Sequence, residues 1–305
     1  MGIHGEKLTA ALTNEKLPSG DKERIKSTLS VYSAWINNLE AINSDNLSTL
    51  VSKLVDSLNE YKFHLDVELI FDSPDDFLYR QKGQLKIDNS VIEEFLPILV
   101  RKCSDLVANE SLIEIAPQTS TFSSVHFNSS LSYKAVGGGL TIKTKDQDFA
   151  ISRKLYIRSS YSEQFDANDT VTVATNIGYV IAEIKTNLDK TMFQEASATA
   201  HDIKLAVSGS KYFLLCDYLD MTPISSATTD IDEILILRKA KRVSSNVRAK
   251  YSTFSGRQAT RDNYIKYLKD NPYAPEVFLR FVEHIVAQFR NEELIEDDVL
   301  STGYF

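Results

Sequence analysis

Glu183, Ile184 and Lys185 close the apolar run Tyr179-Val180-Ile181-Ala182. In a strand, residues i and i+2 share a face, so Glu183 and Lys185 set a carboxylate beside an ammonium at the mouth of a sheet. Asp148 lies 35 residues earlier, where the polar Lys145-Asp146-Gln147 meets the apolar Phe149-Ala150-Ile151. Two carboxylates at adjoining strand ends can hold a hard divalent cation such as Mg²⁺. The cation takes a phosphate oxygen and a water, eases deprotonation of that water and neutralises charge in the transition state. Lys185 could orient the water, help deprotonate it or steady the oxyanion, and the sequence leaves all three open. The triplet alone is common on exposed strands. It gains weight from Asp148, from the apolar run before it, and from the helix and basic stretch that follow.

Other candidates compete for the same site. Asp146 shares a face with Asp148 but reads as a turn or outer acid. Glu110 and Glu114 come from an earlier element and read first as surface or capping groups. Gln194 and Glu195 fall about one turn into the helix after the triplet; the Gln194 amide could hold a phosphate or a water, or simply face solvent. His201, beside Asp202, reads as a helix-surface histidine, and His126 lacks a partner motif. No His-x-x-x-His and no close cysteine pair is present, which argues against a zinc site. Cys103 and Cys216 read as two buried free thiols of a reducing compartment.

The elements that must position these residues follow from periodicity. Ile25, Leu29, Tyr32, Ile36 and Leu39, then Leu47, Leu50, Leu54 and Leu58, recur at helical spacing. Residues 1–20 are polar and read as loosely held. Phe63–Phe71 fits a strand or a helix end. Ser90 to Glu93 is a capping-box pattern before Phe95, Leu96 and Leu99. From 111 to 185, serine, threonine and β-branched residues dominate, with strands expected at 140–144, 149–151, 171–174 and 179–185. Gly137-Gly138-Gly139 suits a tight turn or close backbone approach; without a following Gly-Lys-Ser/Thr it is not a P-loop. A helix over 190–207 and an all-apolar strand over 211–216 predict a crossover in a mixed sheet. Another strand is expected over 231–237. The tail is helical over 262–268 and 275–290, with Pro275 suited to a first turn.

The division expected is a helical region over 1–110, for DNA recognition or dimer contact, a core over 111–240, and a basic segment with helices over 241–305. The fold class is α/β, a mixed sheet flanked by helices, with helical ends.

Composition narrows the partners. The 305 residues carry a net charge of −8, against a wholly basic nucleic-acid binder but not against a local basic groove. Residues 238–261 hold eight basic side chains and no acidic one. Within this stretch Arg248, Lys250, Arg257 and Arg261 are candidate DNA contacts. No apolar run is long enough to span a membrane. The polar start lacks an apolar signal core, so a cytoplasmic protein is expected.

The chain resembles the PD-(D/E)xK nuclease superfamily, whose pattern is an aspartate before one strand and acidic-x-Lys on the next. Residues 182–200, 211–224 and 229–239 resemble a type II restriction endonuclease family that includes two-subunit cutters of asymmetric seven-base sites. The likeness runs from about Lys143 to Arg242. It implies a nuclease core of restriction-endonuclease type, Mg²⁺, and metal-binding and catalytic roles for Asp148, Glu183 and Lys185, with added interest in Gln194. It also implies double-stranded DNA as substrate, cut by two catalytic subunits, identical or different, and a cognate DNA methyltransferase in the same system that is not bound. No proline precedes Asp148, where Gln147 stands; in the superfamily that proline is often absent. The amino-terminal helices and the tail carry no likeness, and target recognition is expected there.

Overall fold

The computed structural model describes residues 1–104 and 113–290. The amino-terminal part is helical, as its apolar spacing predicts: α1 (Ile3–Leu12), α2 (Ser19–Ala41), α3 (Leu47–Phe63), a π-helical stretch (His64–Phe71), α4 (Phe77–Gln81) and α5 (Ser90–Ser104). Asn46 caps α3 by accepting the Thr49 N–H at 2.9 Å, pairing an amide the first turn leaves open. Of the two readings of Phe63–Phe71, the helix end holds: the segment is helical and not a strand. It prolongs α3 and turns Leu65, Leu69 and Ile70 into the core.

The first twenty residues are not loose. In α1, Leu8 and Ala11 enter the core and His4 is fully buried. His4 Nδ1 lies 2.9 Å from Ser90 Oγ and its Nε2 lies 2.7 Å from Tyr61 Oη. Glu94 accepts from the His4 amide at 2.7 Å and from the Tyr32 hydroxyl at 2.6 Å. The segment looks polar because its buried face is built from His4 and Gly5 as well as Leu8. Buried polar groups of this kind persist only when paired.

The described residues form one five-stranded sheet, ordered β1 (Glu114–Phe127), β2 (Leu140–Ser160), β3 (Thr170–Leu188), β4 (Lys211–Leu219), β5 (Glu233–Lys241). The first two pairings are antiparallel and the last two parallel. Four short strands expected between 140 and 185 are thus two long ones, and β1 adds a partner. The expected crossover is present as β3–α6–β4, with α6 at Lys190–Ala206 capped by Asp189, which accepts the Met192 N–H at 2.9 Å. Gly137, Gly138 and Gly139 all have positive φ. A Cβ on Gly137 would sit 2.6 Å from the Ser159 carbonyl oxygen, so the glycines serve close backbone approach.

Strand alternation splits the core in two. Phe149, Val180, Ala182, Ile184, Phe213 and Leu215 face α3, α5 and α9 (Pro275–Phe289), while Ala150, Ile181, Tyr212, Leu214 and Cys216 face α6. The amino-terminal helices therefore share one core with the sheet. Two further helices, α7 (Ser245–Lys250) and α8 (Phe254–Asp270), join β5 to α9.

Candidate active site

β2 and β3 bring the predicted acids together. Asp148 lies within β2 rather than at the start of a strand, and because Phe149 pairs with Ala182 it sits beside Glu183 on the neighbouring antiparallel strand. Asp148 Oδ2 accepts the Ile184 N–H at 2.8 Å, which fastens the first carboxylate to the backbone between Glu183 and Lys185. Glu183 is held from both sides. Lys185 Nζ lies 2.7 Å from its Oε1, and the Tyr212 hydroxyl donates to its Oε2 at 2.6 Å. Tyr212 is fully buried on β4, directly behind the acid. Its hydroxyl is raised by burial and by the Glu183 charge, so it remains a donor.

The electrostatics are crowded. Burial pushes the Asp148 carboxyl up, and Glu183 adds to the rise, while the Ile184 amide, Lys185 and Lys86 oppose it. Burial alone would lower Lys185, but its hydrogen bond to Glu183 and the charges of Glu183, Asp148 and Glu195 hold it above its ordinary value. A third acid enters from α5: Glu93 is buried, and it is raised first by burial and next by Asp148. Gln118 Nε2 donates to Glu93 at 3.2 Å. In the sequence Glu93 reads as a capping residue. No local signal places it beside an acid 55 positions later.

Among the described residues, no three His, Cys, Asp or Glu side chains are close enough to cage a metal ion. Asp148 and Glu183 offer carboxylate oxygens, the hard donors a divalent cation takes.

The other predicted residues fall as follows. Asp146 is engaged by the Ser120 hydroxyl. Glu114 is exposed at the start of β1, opposite Ser152. Glu110 lies outside the described residues. Gln194 is exposed on α6, and it is Glu195, next to it, whose charge reaches Lys185. His201 pairs with Asp230 at 2.7 Å on the surface.

The basic stretch needs the largest correction. Arg257 is 0% exposed and cannot touch DNA in this fold. Its guanidinium binds the carbonyls of Phe71, Ser73, Asp75 and Tyr251 and pairs with Asp76 at 3.2 Å. Arg261 forms a two-pronged pair with Asp72, Arg238 is buried against Asp66, and Arg242 pairs with Asp220. Arg248 binds the Val243 carbonyl and lies 3.9 Å from Asp220. Lys250 is exposed. A run without acids in sequence is largely neutralised in space by acids from elsewhere. A different basic surface went unnoticed in the sequence: on the β2–β3 arm Lys154 lies over Tyr156 and Arg158 over Phe165.

A mixed sheet between helices, with an acid on its second strand beside an acid and a lysine on its third, has the architecture of a restriction endonuclease. The Bpu10I restriction endonuclease family model matches residues 84–305, and the chain belongs to that family. It is a type II restriction endonuclease. The match reaches beyond 143–242 and takes in both the Glu93 helix and the carboxyl-terminal helices. A solved structure described as the native BbvCI A2B2 tetramer shares the fold, with TM-score 0.54 at 20% identity over 88% of this chain and 97% of that one. No curated protein sequence gives a significant match. No helix of the described residues is long and apolar enough to cross a membrane.

Proposed function

We propose that this enzyme hydrolyses phosphodiesters at a short specific sequence in double-stranded DNA, using Mg²⁺ held by Asp148 and Glu183. The observation that carries this is the bond from the Ile184 amide to Asp148, which holds that carboxylate beside the Glu183–Lys185 pair. Glu93 extends the acidic set from α5. The ion, when bound, supplies a Lewis acid for the phosphate and an activated water. Tyr212 fixes the rotamer of Glu183. Lys185, as a cation, balances the acids and is placed to orient a water or steady the developing oxyanion. Products carry 5′-phosphate and 3′-hydroxyl ends, and the enzyme works in the cytoplasm beside a cognate methyltransferase it does not bind.

One such site cuts one strand, so double-strand cleavage calls for a second catalytic subunit, identical or different. The similarity to a chain from an A2B2 assembly supports a partner of the same fold. For DNA contact the candidates are Arg248, Lys250 and the outer face of Arg261, joined by Lys154 and Arg158 of the arm. Incubating the pure protein with plasmid DNA, with Mg²⁺ or with EDTA, tests the reading. Discrete Mg²⁺-dependent fragments support it, nicks alone point to a missing second subunit, and binding without any cleavage contradicts it.

A further inference from the structure

A cavity of about 290 Å³ opens behind the carboxyl end of the parallel strands, walled by Tyr79, Tyr218, Tyr251, Tyr264 and Tyr267. Thr186 also lines it. Thr186 directly follows Lys185, and consecutive strand residues face opposite sides of a sheet. The cavity and the acids therefore lie back to back across one backbone. The rings line the cavity while packing on one another: Tyr251 is buried against Phe71, Tyr79 and Tyr264, and Tyr218 stacks on Tyr267. Three cations stand at the same cavity: Lys82, Arg242 and Arg248. Asp88 lies 3.5 Å from Lys82, and Asp220 alone serves both arginines, 2.9 Å from Arg242 and 3.9 Å from Arg248. Asp66 also acts on Lys82 but is itself paired with Lys62 and Arg238, so the three cations outnumber the two carboxylates that pair with them; Arg248 is held chiefly by its Nε on the Val243 carbonyl at 2.9 Å.

We propose that this cavity is a pocket for one nucleotide taken out of the DNA stack, its base against the tyrosine rings and its phosphate on Arg248 and Arg242. Rings accept any base face, each stacked base contributing roughly 1–3 kcal/mol. Guanidinium groups form two-pronged bonds to phosphate. Unstacking costs a few kcal/mol, which stacking and the charged contacts together can offset. A duplex lying across the end of β3 meets the acids on one side and this pocket on the other. The proposal rests on the DNA-cutting reading only for the source of the nucleotide.

The test measures binding by the full chain without Mg²⁺, so a failure to cleave leaves it intact. Two duplexes of one sequence are compared, one fully paired and one with a single unpaired 2-aminopurine nucleotide. Thymidine 5′-monophosphate and inorganic phosphate are titrated separately. The unpaired duplex should bind at least about tenfold tighter, with the 2-aminopurine emission changing on binding. Tyr79→Leu and Arg248→Gln should each remove that preference while their melting temperatures stay near that of the unaltered chain. Equal affinity for the two duplexes, or a preference that survives both substitutions, overturns the proposal. Binding of the free monophosphate with no preference between duplexes would make the pocket a free-nucleotide site and overturn the DNA source.

Discussion

Replacing Tyr212 with phenylalanine isolates one oxygen at the heart of the site. The ring is fully buried and would stay in place, so the fold loses the 2.6 Å bond to Glu183 and the hydrogen bond from the Thr199 side chain. Glu183 keeps its contact with Lys185 but can rotate about that single anchor. Removing a partner that orients a metal ligand typically costs 10–100-fold in metal affinity or activity, about 1.4–2.7 kcal/mol at 1.36 kcal/mol per factor of ten. The assay is plasmid cleavage by Tyr212→Phe over a range of Mg²⁺ concentrations, with DNA affinity measured separately in Ca²⁺. The variant should need more Mg²⁺ for half-maximal rate, or cut about 10–100-fold more slowly, with DNA affinity unchanged. Cleavage at the unaltered rate at every Mg²⁺ concentration would refute the reasoning, because Glu183 would then need no fixed orientation.

Three further outcomes are expected. Burial, helped by Lys62, pulls the His4 pKa down from 6.5 to about 3, so the folded state holds His4 neutral where the unfolded chain protonates. Its contribution is therefore complete above about pH 6.5 and is lost as pH falls towards 3, by up to roughly 5 kcal/mol; His4→Asn should flatten the fall in urea-unfolding stability over that window, and an unchanged slope would contradict the assignment. Arg257→Ala should destabilise the fold by about 3–5 kcal/mol, since it leaves the carbonyls of Phe71, Ser73, Asp75 and Tyr251 without their donor while Asp76 keeps Arg80 at 3.2 Å, and a melting curve shows this; normal stability with weakened DNA binding would restore Arg257 as a DNA contact. Arg248→Ala and Lys250→Ala should each lower the slope of log affinity against log salt by about 0.9 if they meet phosphate, and an unchanged slope removes the residue from the interface.

The site was readable in sequence where its chemistry is local. The strand period alone puts Glu183 and Lys185 on one face, whereas Asp148 lies inside the long strand β2 rather than opening one, and only the β2–β3 register sets it beside them. Asn46 and Asp189 mark helix starts by their own side chains. What escaped depends on distant contacts. Glu93 reaches Asp148 only because α5 packs against the sheet, and Tyr212 reads as one more apolar strand residue until its hydroxyl is seen on Glu183. Arg257 looks like a surface cation until helix α8 buries it against 71–76. His4 shows the same limit at the other end of the chain, since Ser90 and Tyr61, the partners that bury it, lie far along the sequence.

The most direct test of the account is a single comparison of Lys185→Ala with the unaltered chain on plasmid DNA in Mg²⁺, with binding followed in parallel. The variant should bind DNA with undiminished affinity and leave the plasmid intact. Cleavage at the unaltered rate would show that Asp148, Glu183 and Lys185 are not where the phosphodiester is broken.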